Sequence, residues 1–227
     1  MQRRKFTSGL VSLGGLWALS AQAADITEGD AALGIRAALE RGAVAAVGLR
    51  GRSGGFLDNP KVRIELPGYL REAAKVLKYT GQQRRVDELV TAMNRAAEAA
   101  VPEAKALLVN AVKAMSVEDG RQILTGGENS ATQFFAEKTR APLGVKFLPI
   151  VTRATEKVSL ADKYNKVAGQ VASLGLVSKD ESNIQSYITG KALDGLYLMI
   201  GEEERKIRKD PIGTGSAILK KVFGSLR

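Results

Sequence analysis

Val86-Asp87-Glu88-Leu89-Val90-Thr91-Ala92-Met93-Asn94-Arg95-Ala96-Ala97-Glu98-Ala99-Ala100 is the stretch that decides the fold class. Val86, Leu89, Val90, Met93, Ala97 and Ala100 recur at the spacing that lines one side of an α-helix. Asn94 sits at the edge of that stripe and Glu98 beside it one turn on, while Arg95 points away. A polar ledge at a core boundary reads as a buried hydrogen-bond pair between helices. The alternative is the wall of a ligand cleft. Pro102 closes the segment.

Upstream, Leu70, Ala73, Ala74 and Leu77 give another amphipathic helix from Gly68, closed by Thr80-Gly81. Before it, Val62, Ile64 and Leu66 alternate with Arg63 and Glu65 up to Pro67, which predicts one short extended segment near 62–66. It is expected to lie across helices or to pair with a partner segment. Gly51-Arg52-Ser53-Gly54-Gly55 through Pro60 is a loop by its glycine and proline content. Thr27-Glu28-Gly29-Asp30 resembles a capping box. It opens an alanine-rich helix to about Leu49, with Leu33, Ala37 and Val44 on or near one face.

Downstream, helices are expected from Pro102 to Met115, and from the Ser116-Val117-Glu118-Asp119 cap to Thr125-Gly126-Gly127. Asn129 or Ser130 opens the next, which carries Phe134 and Phe135; Pro142 and Pro149 predict a kink or a break in the chain beyond these aromatics. Leu160 to Leu174 reads as helical. Asp180 to Asn183 begins a long helical region that reaches Lys209 before Pro211, and Ile218, Leu219, Val222 and Phe223 form the apolar side of a last short helix. The expected fold is all-α, a multi-helix array or bundle with that single extended segment.

Residues 1–23 carry Arg3-Arg4-Lys5, a mildly apolar stretch from Gly9 to Leu19, and Ala21-Gln22-Ala23. This is the form of a cleaved signal peptide, which leaves 24–227 as a single domain in the periplasm or secreted. Arg3-Arg4-Lys5-Phe6 also resembles a twin-arginine signal, so both the general secretory and the twin-arginine routes stay open. The apolar stretch is shorter than the roughly 20 residues of a bilayer span, and no later run approaches that length.

The chain of 227 residues holds 34 Lys and Arg against 24 Asp and Glu. Cleavage after Ala23 removes three basic residues and leaves 31 against 24, a net charge of +7. The basic residues are spread rather than clustered. Outside the cytoplasm the anionic partners they suit are phospholipid head groups, lipopolysaccharide or acidic polymers rather than nucleic acid, and a soluble, mildly basic surface is the favoured reading. The chain has no His and no Cys. That excludes disulfides, thiol chemistry, a Ser-His-Asp triad and the usual zinc or copper sites. No cofactor and no metal is expected.

Glu202-Glu203-Glu204-Arg205-Lys206-Ile207-Arg208-Lys209 is the densest charge cluster, with Glu202–Lys206 and Glu204–Arg208 at the spacing of helical ion pairs. It reads as a solvated helix end, or as a carboxylate–arginine site for a polar ligand. The 51–55 loop and the Gly126-Gly127-Glu128-Asn129-Ser130 junction each offer backbone N–H groups to an anion. A plain loop and a helix cap are the simpler readings.

These motifs together carry a resemblance. Met93-Asn94-Arg95-Ala96-Ala97-Glu98-Ala99-Ala100, the Gly126-Gly127 to Phe134-Phe135 segment and Ala192-Leu193-Asp194-Gly195-Leu196-Tyr197 take part. So do Glu204 to Arg208 with Pro211, and Leu219-Lys220-Lys221-Val222-Phe223-Gly224. The chain resembles a bacterial family of exported helical proteins known as domain of unknown function 4197. The resemblance implies a periplasmic or secreted, mostly helical domain and brings no activity with it. By position, Asn94, Arg95, Glu98, Thr132, Asp194, Glu204 and Arg208 match the family's polar residues and are the candidate ligand-binding set. Gln133 stands where an acidic residue is common, which weakens any metal-binding version of that motif.

The leading functional expectation is a non-enzymatic envelope protein that binds a partner protein or an anionic envelope lipid. One alternative is a carboxylate and arginine enzyme or small-ligand binder using Mg²⁺ or Ca²⁺, which take oxygen ligands. Another is a structural component of an envelope assembly. Convergence of the polar residues in one concave pocket favours the enzyme. Pairing off beneath the surface makes them structural.

Overall fold

Alanine at Ala96, Ala97 and Ala100 leaves the middle of the 86–100 helix thin enough to be covered on several sides, and all three are fully buried. The computed structural model describes residues 28–156, 161–162, 164–165 and 183–210. The signal peptide expected over 1–23, most of the helix expected over 160–174 and the apolar side expected at Ile218 to Phe223 lie outside the described residues. Residues 161–162 and 164–165 are helical.

Among the described residues there are α1 (Glu28–Arg50), α2 (Gly68–Leu77), α3 (Gln83–Ala100), α4 (Ala104–Lys113), α5 (Val117–Thr125), α6 (Ser130–Thr155) and α7 (Ile184–Lys209). No strand occurs among them, and 63–67 belongs to no helix or turn. The fold is an all-α array, and the non-helical stretch 63–67 lies where the alternation at 62–66 predicts an extended segment. No helix of the described residues is long and apolar enough to cross a membrane.

α6 packs against α7, α3 lies on both, and α1 closes over α7, α4 and α5. Met93 of α3, Phe135, Leu143 and Phe147 of α6, and Ile188 and Leu196 of α7 are wholly buried in the shared core. Burial of each such side chain is worth about 2 kcal/mol.

Four local expectations change. α1 does not bury Leu33, which is 56% exposed; it buries Ile35, Ala38, Leu39, Ala43, Ala46 and Val47. Alanine and valine are spread around this helix, so its sequence does not single out one apolar face. Thr80-Gly81 does not end in a loop. Gly81 takes a φ of 77°, and a π-helical turn over Lys78–Gln82 leads straight into α3. α6 runs through Pro142 and Pro149 as one helix of 26 residues. Both prolines lie on its exposed side, seven residues apart, so the carbonyls they leave unpaired face water. Finally, Glu202 does not pair with Lys206. It takes Lys61 at 2.5 Å, and Lys206 takes Glu203 at 2.6 Å. The turns of 51–62 bring Lys61 to α7, a partner that helical spacing does not register.

Candidate functional site

Asn94 is fully buried, and its side chain is bonded like a strand neighbour. Its Oδ1 accepts from the Ile64 N–H at 2.8 Å, and its Nδ2 donates to the Ile64 carbonyl at 2.9 Å and to the Val90 carbonyl at 2.8 Å. One turn on, Glu98 is 4% exposed. Its Oε1 accepts from the N–H groups of Phe56 and Leu57, both at 3.0 Å, and its Oε2 from Arg95 at 2.6 Å. Arg95 also donates to the Ser53 hydroxyl at 2.9 Å. Burial pushes the Glu98 carboxyl up, but the Leu57 amide, Arg95 and the Phe56 amide outweigh it and hold it below its ordinary value. These three residues fasten the 51–66 segment onto α3. They form no helix–helix pair.

Thr132, Glu204 and Arg208 form a second tie. α6 begins without a side-chain bond from Asn129, its N-cap residue. Glu204, 6% exposed, supplies the cap from α7. Its Oε1 accepts from the Ala131 N–H at 3.0 Å, and its Oε2 from the N–H and hydroxyl of Thr132 at 2.9 and 2.8 Å. A carboxylate meets the positive end of a helix here. Arg208 donates to Glu204, to the Ser130 hydroxyl at 2.7 Å and to the Ile123 carbonyl near the end of α5 at 2.8 Å. Arg205 takes Asn129 Oδ1 at 2.7 Å. The cluster at 202–209 is therefore not a solvated helix end. It joins α7 to the α5–α6 junction.

Asp194 stands apart. It is half exposed, takes Arg140 at 2.6 Å, and has Lys191 at 3.7 Å. The next residue explains the motif better. A Cβ on Gly195 would lie 2.7 Å from the Phe56 ring, so only glycine lets α7 meet the loop that Glu98 holds. The three groups of candidate residues share no hydrogen-bond partner and do not converge on one pocket.

Sequence reasoning missed the residues around the clefts. A cleft of about 500 Å³ runs between 61–68 and α7. Lys61, Arg63, Arg71 and Lys191 line it against Glu65 and Asp194, with Tyr187 and Leu198 on the helix side. The Tyr187 hydroxyl donates to the Glu65 carbonyl at 2.9 Å. Past the Lys61–Glu202 bridge, a second cleft of about 560 Å³ is lined by Lys61, Arg205, Lys206, Arg208 and Lys209, with Glu128 and Glu202. The available signal was the spacing of Tyr187, Lys191, Asp194 and Leu198 along one side of a helix. Its other wall is an extended segment, which helical periodicity does not predict.

Arg50 was also missed. It is buried at the end of α1 and donates to the Gly55 carbonyl at 2.6 Å. Burial, and then the neighbouring Arg52, lower its pKa from the ordinary value. Among the described residues no three acidic side chains gather as a cation site.

No curated protein and no solved structure matches the chain significantly. A family model described as a protein of unknown function, DUF4197, matches residues 25–224. The motif residues just placed lie within that match, and the chain belongs to the DUF4197 family of proteins of unknown function.

Proposed function

We propose that this is an exported, non-enzymatic envelope protein that binds an anionic partner along the basic side of α7. The observation that carries the reading is the cleft between 61–68 and α7, where four basic side chains face two acidic ones. The second cleft continues the same side of the helix with five basic residues against two acidic ones. Fields of one sign in concave surfaces concentrate oppositely charged partners. The signal-like segment 1–23 supports the envelope location, where anionic lipid head groups and acidic proteins both occur.

The enzyme alternative has little to work with at the family's polar residues. Glu98 and Glu204 use both oxygens on partners within the chain. A general base or a metal ligand needs a free oxygen toward the substrate or ion.

The test is binding of the mature protein to phosphatidylglycerol vesicles and to polyglutamate, compared with a charge-reversed Arg71→Glu/Lys191→Glu variant. Both positions are exposed and away from the two ties. Binding to at least one polyanion, weakened about tenfold or more by the substitutions, is expected. No binding to either, or binding indifferent to the substitutions, contradicts the reading.

A further inference from the structure

We propose that the cleft between 61–68 and α7 receives an extended acidic segment of a partner protein, which pairs with the backbone of Arg63 and Glu65. The inference rests on the anion-binding reading above and names its partner.

Three observations converge on it. The first is a part-open backbone edge. Residues 63–67 belong to no helix, turn or strand, and at Ile64 the N–H and C=O turn to the same side, as in an extended chain. In an extended chain successive residues turn their N–H and C=O groups to opposite edges. Both backbone groups of Ile64 turn to Asn94 on α3. Arg63 and Glu65 turn to the other edge, where the Arg63 N–H goes to the Asn59 carbonyl at 2.8 Å and the Glu65 carbonyl accepts from the Tyr187 hydroxyl on α7, which leaves the Arg63 carbonyl and the Glu65 N–H for a partner chain. A strand edge beside a helix is the form in which main-chain pairing gives affinity and side-chain pockets give specificity.

The second is length. From Tyr187 to Leu198 the helix side of the cleft spans about 16 Å. Five residues, the length of 63–67, span about the same in an extended chain. The cleft thus fits a partner stretch of about five residues laid alongside.

The third is chemistry. Lys61, Arg63, Arg71 and Lys191 outnumber Glu65 and Asp194, which selects acidic side chains. Leu66, Pro67 and Leu198 also line the cleft, and Leu198 is 43% exposed. An acidic strand with an apolar residue at alternate positions presents carboxylates to the basic rim and apolar groups to this floor.

The experiment titrates the folded mature protein with a fluorescent peptide alternating Glu and Val, and with the same peptide methylated on its backbone nitrogens. Methylation keeps every charge and removes every N–H. The expected result is binding that methylation weakens about tenfold, the loss of about one backbone hydrogen bond, and that Arg71→Glu/Lys191→Glu also weakens. Equal binding of both peptides overturns strand pairing and leaves the anion-binding reading standing. Binding of phosphatidylglycerol vesicles with no binding of either peptide overturns the peptide partner and again leaves that reading. No binding of peptides or vesicles overturns both. Circular dichroism on the variant confirms that it is folded.

Discussion

Asn94 and Glu98 act on backbone, and that is why their neighbours in sequence do not reveal their partners. Asn94→Ala leaves the Ile64 N–H and C=O unpaired in the core. The expected cost is about 3 kcal/mol, read as a lower urea midpoint at unchanged slope. Glu98 adds a pH dependence with a definite sign. Its folded pKa lies below the ordinary 4.5, because hydrogen bonds from Leu57, Arg95 and Phe56 outweigh burial. Its contribution is therefore fully present above that value and fades as the pH falls through the folded pKa. Thermal unfolding followed from pH 7 to about 3 is expected to show a shallower acid decline for Glu98→Gln than for the wild type. A residual slope remains from Asp119 and Glu202, whose pKa values are also lowered. An unchanged slope contradicts the assignment. The sequence shows the two side chains one turn apart at the edge of an apolar stripe. It does not show Ile64 or Phe56 as partners, since any residue presents the same N–H and C=O.

At the scale of elements, α6 takes its first-turn acceptor from another helix. Local sequence offers Asn129 and Ser130 as caps. The Asn129 side chain makes no cap bond and instead accepts from Arg205, while the Ser130 hydroxyl donates to the Ile123 carbonyl and accepts from Arg208. The first-turn amides of Ala131 and Thr132 are left to Glu204. Glu204→Ala removes this cap and leaves Arg208 without its carboxylate, a loss of about 3 kcal/mol. Arg208→Ala is expected to cost less, about 1 to 2 kcal/mol, because Glu204 keeps its three donors on α6. The double variant is expected to lose less than the sum of the two, and strict additivity in denaturant titrations would show that the pair is not coupled. Helix positions were largely legible because the apolar spacing is strong in α3 and because Ser116 and Asn183 cap as their types suggest. The face of α1 and the continuity of α6 were not. In the first case alanine surrounds the helix; in the second, exposure of both prolines decides the matter, and exposure is a property of the packed molecule.

At the scale of the whole molecule, the polar residues Asn94, Glu98, Glu204 and Arg208 of this chain tie its elements together, and the basic side of α7 is the proposed contact surface. The 51–66 segment is the hinge of this arrangement. α3 fastens it through Asn94 and Glu98, Gly195 lets α7 approach Phe56, and the segment then forms one wall of the cleft. The all-α class and the break in helix before Pro67 could be read from periodicity. The cleft could not, because its walls are more than a hundred residues apart in sequence and are joined by long-range ties such as Tyr187 to Glu65.

The measurement that tests this division most directly follows thermal unfolding and polyglutamate binding side by side in two variants, Arg71→Glu/Lys191→Glu and Glu204→Gln. The account predicts that the first loses binding at an unchanged melting temperature. It predicts that the second melts lower, and binds as the wild type does while folded. Loss of binding in folded Glu204→Gln, with the cleft variant binding normally, would contradict it and return the family's polar residues to the role of a ligand site.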